Sequence, residues 1–267
     1  MRRNLPRVGI GFGLVVLLTR LVIAQTQAPN APDLKLAFQS DSPRYTPSAI
    51  RTQCIDFKTI NRGNGEDDYS DCAVSESDEI GNVDGKTYIY AIYCLIPTRS
   101  SNDGKCGDRS FTAAYHRARG LAIFVRDSTS DDARLLTQRV DLDLGLYYYE
   151  KPEIIRTAAG DIFEIPIVVD GTGHFNESEY YLWENLEWRR LDAMSWLNEV
   201  SRQIPPGLAM WKGVWPNLTT MEAIAGLYRR DDANCCPTGG EVRVRLAIRS
   251  GQFVIEAVAV QAPAPDR

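Results

Sequence analysis

Residues 169–179 (VDGTGHFNESE) carry oxygen-bearing side chains at a spacing that could hold a cation. Asp170, Asn176 and Glu177 supply the carboxylate and amide oxygens that Ca²⁺ prefers. The segment does not fit an EF-hand, because Phe175 stands where that loop needs glycine and Tyr181 where it needs a bidentate acid. The pattern therefore predicts either a cation site of another kind or a plain glycine-rich turn between strands.

A second acidic segment, residues 66–84, holds eight carboxylates and no lysine or arginine. Such a run could bind calcium or dock a basic partner. Acids interspersed with glycine and asparagine are more typical of solvated loops. The sequence therefore predicts an exposed loop here.

Catalytic residues are harder to place. The chain has two histidines, His116 and His174. Neither has a nucleophile or an acid at a spacing that indicates a catalytic site. No serine lies in a G-x-S-x-G turn. Dispersed carboxylates could still pair for glycan or ester hydrolysis, since their separation is set by the fold. We expect no cofactor, and the sequence favours a protein that is not an enzyme.

The six cysteines are an even number, which in an oxidising compartment is first interpreted as disulfides. Spacing predicts two pairs that bracket loops and one pair of adjacent residues: Cys54–Cys72, Cys94–Cys106 and Cys235–Cys236.

The adjacent pair needs a tight turn, which Pro237 and the Gly239-Gly240 dipeptide can supply. The alternative is that Cys235 and Cys236 separately link the C-terminal hairpin to the N-terminal part of the chain. A redox couple usually has two residues between its thiols, and a zinc site usually has repeated Cys-x-x-Cys or Cys/His spacing. The spacing therefore favours a structural disulfide.

Residues 211–260 contain GVWPNL, then AGLYRRDDANCCPTGGEVRVRLAI, then a closing strand. The DANCCPTGG core, its flanking tyrosine and the basic strand resemble the C-terminal region of the LppP/LprE-type exported bacterial proteins. The resemblance covers about a fifth of the chain. It implies an exported protein of the cell envelope and brings no activity with it. Lipid anchoring does not carry over, because no cysteine precedes Cys54.

Aromatic residues form two further groups, the run Tyr147-Tyr148-Tyr149 and five tryptophans. Three consecutive tyrosines cannot all point inward from one strand, so at least one should be exposed. Aromatics on short strands either belong to the core or form a surface that stacks on sugars or anchors a protein. The tryptophans are Trp183, Trp188, Trp196, Trp211 and Trp215.

Residues 1–24 have the pattern of a signal peptide. Three arginines precede an apolar stretch (Val8 to Leu18), the uncharged run from Val8 to Thr19 is 12 residues long, and Val22-Ile23-Ala24 forms a cleavage site before Gln25. The stretch is shorter than the ~20 residues of a membrane-spanning helix, so we expect no stable span after cleavage. The protein should then be periplasmic or secreted, and an Arg-to-Lys ratio of 24 to 6 fits a GC-rich bacterium.

Composition excludes several classes. With 44% hydrophobic and 24% charged residues, the 267-residue chain should fold and is not disordered. Removing the four arginines of the signal segment takes the net charge from −5 to −9. This balance argues against nucleic acid or an anionic membrane as the main partner.

Apolar periodicity predicts a mostly β or α+β fold of antiparallel sheets. Strands are predicted at residues 87–96, 120–125, 162–169 and 221–228, with a hairpin over 180–191. One helix is predicted at about 192–204, with Asp192 as its N-cap and Pro205-Pro206-Gly207 ending it. Residues 240–249 and 252–260 form a C-terminal β-hairpin.

The predicted organisation is a mobile lead (25–32), a β-rich domain (33–190), a helix-plus-meander unit (191–261) and a tail (262–267). The predicted function is that of an exported, disulfide-stabilised binding or structural module of the envelope, with a protein or glycan partner. A periplasmic hydrolase and a calcium-stabilised module are the alternatives.

Overall fold

The computed structural model describes residues 44–54, 69–97, 119–141, 147–169 and 177–263. Several predictions fall outside these residues: the signal segment, the lead, most of the tail, both histidines, Cys106, Asp170 and Asn176.

The described residues confirm a strand-rich fold of antiparallel sheets with two helices. The helices are α1 (Pro47–Thr52) and α2 (Ser195–Gln203). The strands are β1 (Arg44–Tyr45), β2 (Tyr69–Val83), β3 (Lys86–Pro97), β4 (Arg119–Asp127), β5 (Ala133–Asp141), β6 (Tyr147–Tyr149), β7 (Glu153–Thr157), β8 (Gly160–Ile165), β9 (Ile167–Val169), β10 (Glu179–Glu184), β11 (Glu187–Arg190), β12 (Leu208–Ala209), β13 (Glu222–Gly226), β14 (Tyr228–Arg229), β15 (Glu241–Arg249) and β16 (Gln252–Gln261).

Sheet I has the strand order β1-β5-β4-β3-β2 and is the largest sheet described. Strands β3 and β4 lie inside it and are buried on both faces, as their continuous apolar runs predict. Alternate residues therefore serve two different clusters. Tyr88 and Tyr90 point to one face, and Ile89 and Tyr93 point to the other.

The predicted loop over residues 66–84 is wrong for residues 69–83, which form strand β2. This strand lies at the edge of sheet I and pairs along the length of β3. Its acids Glu76, Asp78 and Glu79 are exposed, and Glu79 pairs with Arg126 at 2.8 Å. Solvent-facing charges are common on edge strands, where they prevent pairing with other chains. The exposure of these three acids is therefore that of an edge strand and not of a loop.

Sheet II has the order β11-β10-β8-β7. Its predicted hairpin is confirmed, with Glu184 paired to Glu187 across a two-residue turn. Asn185 and Leu186 both have positive φ (50° and 66°), as a type I′ turn requires. Pro166 ends β8, and the following strand β9 pairs with β6 instead.

Sheets I and II face each other and form a sandwich. Between them lies a cluster in which Trp188 contacts Tyr88 (5.7 Å between ring centroids) and Phe163 (5.4 Å). A second cluster lies on the opposite face of sheet I, where Ile50 of α1 is fully buried. The sandwich is thus covered on this outer side by a short helix.

The opposite face of sheet II packs against α2 and sheet III (β13-β15-β16). Trp196 and Val200 of α2 are buried there. The predicted C-terminal hairpin is confirmed, with Val242 and Val244 pointing inward and Arg243 and Arg245 outward. The predicted division between residues 33–190 and 191–261 falls between β11 and α2 and stays a prediction.

The helix begins at Ser195, three residues later than predicted. Asp192 is held by β16 instead, since its amide donates to the Gly251 carbonyl (2.9 Å) and its carbonyl accepts from Phe253 (3.1 Å). The Asp192 carboxylate still accepts the amides of Met194 (2.9 Å) and Ser195 (3.0 Å). The prediction of Asp192 as the N-cap is therefore wrong, since Met194 is the N-cap, although the Asp192 carboxylate still accepts the amide of the first helical residue.

Gly120→Ala should destabilise the protein by about 1–3 kcal/mol, the cost of overpacking a core. The Tyr93 ring lies across the Gly120 Cα, so an added Cβ would overlap it. Gly81→Ala is the matched control, because its Cβ would lie at an ordinary 3.6 Å from Ile154. Urea unfolding of both variants tests this, and equal stabilities would contradict it.

Candidate functional site

Two predicted disulfides are confirmed. Cys54, just after α1, is bonded to Cys72 in β2, and Cys235 is bonded to Cys236. The alternative, in which Cys235 and Cys236 reach different parts of the chain, is thereby wrong. Cys94 is also in a disulfide, while its predicted partner Cys106 lies outside the described residues.

The two described bonds should differ in stabilising effect, because a disulfide restricts the unfolded chain more when it closes a longer loop. Removing Cys54–Cys72, which spans 18 positions, should cost roughly 2–3 kcal/mol. Removing Cys235–Cys236, which spans one, should cost less than about 1 kcal/mol. Paired serine variants and urea unfolding measure both, and equal losses would refute the expectation.

The candidate site is built around the adjacent disulfide. Strand β14 pairs with β12 and leads into residues 230–240, which return the chain to β15. We call residues 228–238, together with Trp211, the aromatic–disulfide loop. Cys235, Cys236 and their neighbour Asn234 are all exposed.

An aromatic stack supports this loop. The Trp211 ring lies parallel to Tyr228, with 4.7 Å between centroids and 12° between planes. Tyr228 is buried (3% exposed), and its hydroxyl donates to the Asn234 carbonyl at 3.1 Å. Trp211 is 40% exposed. Its indole is therefore held from behind while part of it remains open to solvent.

The Asp232 side chain stabilises the loop by hydrogen bonds to residues on either side of it. Its carboxylate accepts the amides of Arg229 (2.7 Å) and Thr238 (2.8 Å) and the Thr238 hydroxyl (2.6 Å). These hydrogen bonds stabilise the ionised carboxylate and therefore lower the pKa of Asp232, and the bonds from Thr238 have the largest effect. Gly239 permits the close return, since a Cβ there would lie 2.7 Å from the Leu227 carbonyl oxygen. The loop is thus fixed by backbone and side-chain bonds as well as by the disulfide.

The predicted tryptophans separate into two groups. Trp188 and Trp196 are buried and Trp183 is half-buried, so these three belong to the cores. Trp211 and Trp215 (38% exposed) are the large aromatics that the described residues leave exposed. In the tyrosine run, Tyr149 is buried, and the side chains of the other two lie outside the described set.

A charged cluster inside the sandwich was not predicted from the sequence. Glu179 is the buried charged residue of the described chain, at 8% exposed. It pairs with Arg139 of sheet I and with Arg190 (3.4 Å), and it accepts the Tyr181 hydroxyl at 2.6 Å. Arg139 also donates to Tyr181 at 2.9 Å.

These contacts leave the cluster with a structural role. Burial raises the pKa of Tyr181, so its hydroxyl keeps its proton as a donor. Burial disfavours the charged form of Arg139, but Tyr181 and Glu179 outweigh it and raise the pKa of the guanidinium. The cluster joins sheet I to sheet II. Glu179 contacts Arg139, Arg190 and the Tyr181 hydroxyl, and Arg139 also contacts Tyr181.

A pair of acids lies on the other face of sheet II. Glu164 of β8 is directly opposite Glu153 of β7 and next to Tyr180 of β10. Burial, then repulsion by Glu153, raises the pKa of Glu164 from 4.5 to about 7. The Tyr180 hydroxyl lies close enough to Glu164 to stabilise its ionised form, which partly offsets the rise in its pKa. The hydroxyl nevertheless makes no hydrogen bond of normal geometry.

Of the three predicted cation ligands, Glu177 is described and is exposed. Partial desolvation of its carboxyl, followed by repulsion from the Glu179 carboxylate, raises the pKa of Glu177. Across the described ranges, no three His, Cys, Asp or Glu side chains are grouped to hold a metal ion. The predicted site at Asp170, Asn176 and Glu177 stays a prediction.

Comparison with known proteins finds no matching family model and no matching curated protein. None of the helices in the described part of the chain is long and apolar enough to cross a membrane.

Proposed function

We propose that this chain is an exported, disulfide-stabilised protein of the bacterial envelope that acts as a binding module and not as an enzyme. The observation that carries the proposal is the fixed, partly exposed Trp211 of the aromatic–disulfide loop. Export is supported by the signal pattern, by the disulfides, and by the resemblance of DANCCPTGG to LppP/LprE-type proteins.

The charged groups near this loop support binding over catalysis. The Asp232 carboxylate is already saturated by three donors within the loop. At the start of β15, Arg243 is paired with Glu241 (2.9 Å). Asp232 and Arg243 are thereby committed to the fold, whereas the partly exposed Trp211 face is open to a ligand, and the exposed residues Arg230 and Asp231 lie on the same loop.

We favour a glycan as the ligand. A sugar ring presents a flat apolar face of C–H groups that can stack on an indole, surrounded by hydroxyls that form hydrogen bonds. Trp211 supplies such a face, and the exposed Asn234 amide lies on the same loop. Because the indole is fixed before binding, little side-chain entropy is lost on association. The other outcome of the test is that the ligand of this surface is an envelope protein.

The test is titration of the oxidised, signal-free protein with soluble pyranose oligosaccharides, followed by calorimetry. Trp211→Ala should weaken binding at least tenfold, about 1.4 kcal/mol, because the stacking face is lost. Leu186→Ala is the control, since Leu186 is 70% exposed in the turn between β10 and β11 and is not part of the aromatic–disulfide loop. Unchanged affinity in Trp211→Ala, or no binding to any oligosaccharide, would contradict glycan recognition. Export is tested separately by fractionation and by finding Gln25 at the mature N-terminus.

A hydrolase is the second candidate, and the Glu153–Glu164 pair favours it. Retaining glycosidases use two carboxyl groups about 5 Å apart, one with a raised pKa that acts as the acid. Residues directly opposite on antiparallel strands have Cβ atoms at about this separation. Turnover of glycan or ester substrates that disappears in Glu164→Gln would establish the hydrolase, and a blank screen would remove it.

A further inference from the structure

We propose that the Cys235–Cys236 disulfide is a reducible switch that sets the position of Trp211. Its two-electron reduction by a dithiol would loosen residues 234–236 of the aromatic–disulfide loop and change the aromatic face, while Asp232 continues to hold Arg229 and Thr238. This inference rests on the proposed function only in its consequence for ligand binding. The switch itself follows from the contacts of the loop.

The bond is poorly suited to stabilising the whole protein. It joins neighbouring residues, so it closes almost no loop of the unfolded chain and restricts it little. Its effect must therefore be local, on the backbone between Cys235 and Cys236. Cys54–Cys72 differs, since it spans 18 positions and packs against the cluster under α1.

The bond is also accessible. Both Cys235 and Cys236 are exposed, whereas Cys54 and Cys72 are half-buried. A thiolate of the reductant must reach one sulfur of the disulfide in order to attack it, so exposure favours reaction at the adjacent pair. A dithiol reductant, such as a thioredoxin-type protein, forms a mixed disulfide with one cysteine. Its second thiol then displaces that cysteine, leaving two protein thiols and an oxidised reductant.

A continuous chain of contacts joins this bond to Trp211. The Cys236 amide donates to the Ala233 carbonyl at 2.9 Å, which fixes the turn around Asn234. The Asn234 carbonyl in turn accepts the Tyr228 hydroxyl, and Tyr228 carries the Trp211 ring. When the bond opens, the 235–236 peptide gains rotational freedom. The Asn234 carbonyl is then held only through the Cys236–Ala233 hydrogen bond, so it shifts and the hydrogen bond from Tyr228 is weakened.

The experiment uses the full mature chain and dithiothreitol as the dithiol probe. Increasing reductant is followed by tryptophan emission, with alkylation and peptide mass mapping on the same samples. We expect Cys235 and Cys236 to be labelled before Cys54 and Cys72, and emission to change over the same range of reductant. A trivalent aryl arsenical, which binds two neighbouring thiols together, should then trap the reduced form.

Three variants distinguish the steps. Cys235→Ser/Cys236→Ser should show the reduced-state emission and no early response to dithiol. Trp211→Phe should lose the emission change but keep the labelling. Tyr228→Phe should keep the labelling and lose most of the change, because the bond to Asn234 is absent. If the serine variant does not fold, reduction of the wild-type chain still decides the matter.

The switch is refuted if Cys235 and Cys236 are labelled with no change in emission, or if Cys54 and Cys72 are labelled first. Oligosaccharide titration of the oxidised and reduced protein separates the two proposals. A redox-dependent emission change without any oligosaccharide binding supports the switch and refutes glycan recognition. Binding that is equal in both redox states supports glycan recognition and refutes the consequence drawn for it.

Discussion

Glu179→Ala is expected to lower the free energy of unfolding by about 3–5 kcal/mol, the cost of breaking a buried ion pair. The substitution removes the carboxylate that Arg139, Arg190 and Tyr181 share inside the sandwich. Arg139 would then be left as a largely buried cation without its acid, and Tyr181 would lose its acceptor. Urea unfolding at neutral pH, followed by circular dichroism, measures the effect.

Arg190→Ala is the matched control from the same cluster. The Arg190 side chain is 40% exposed and its contact to Glu179 is longer, at 3.4 Å. Exposed pairs of this kind contribute roughly 0–1 kcal/mol. A second variant, Arg139→Met/Glu179→Leu, should recover part of the loss, because both charges are removed together. A Glu179→Ala protein as stable as Arg190→Ala would show that the cluster does not join the two sheets.

Glu164→Gln is expected to stabilise the protein at pH 8 by up to about 3 kcal/mol and to leave it nearly unchanged near pH 4.5. The pKa of Glu164 is raised from 4.5 to about 7 in the folded protein, first by burial and then by Glu153. Between these values the unfolded chain releases its proton while the folded chain retains it. The wild-type protein therefore has its full free energy of unfolding below about pH 4.5. It loses stability as the pH rises through about 7, and it remains less stable at higher pH.

The measurement is urea unfolding of wild type and Glu164→Gln from pH 4 to 8, with the difference plotted against pH. The difference isolates Glu164 from other groups that titrate in this range. Glu153→Gln is the companion variant, since it removes the second cause of the raised pKa and should recover part of the stability. A difference that does not vary with pH would mean that Glu164 is ionised without penalty in the fold.

Much of the fold was predictable because the burial of a strand leaves a pattern of apolar residues in its local sequence. Strands β3 and β4 are buried on both faces, and this gives the continuous apolar runs from which they were predicted. The hairpin of β15 and β16 alternates between core and solvent, and its sequence alternates too. Strand β2 was missed for the same reason, because its acids face solvent at a sheet edge and resemble a loop.

The candidate site was partly predictable. The adjacent cysteines and the Pro-Gly-rich turn after them indicated the Cys235–Cys236 bond, because neighbouring residues need no knowledge of the fold to pair. That Trp211 would stack on Tyr228 was not visible, since the two residues meet through the pairing of β12 with β14. Exposure of Trp211 and burial of Trp188 depend likewise on which surfaces the sheets cover.

The sequence by itself determined the antiparallel β class and the C-terminal hairpin, and it predicted two disulfides that the structure then confirmed. The tertiary structure alone decided which carboxylates are buried. Glu179 meets Arg139 across 40 positions of chain, and Glu164 meets Glu153 and Tyr180 on neighbouring strands. The physical reason is that local patterns record whether a residue faces core or solvent, whereas a charge's partner and its pKa depend on how separate sheets pack.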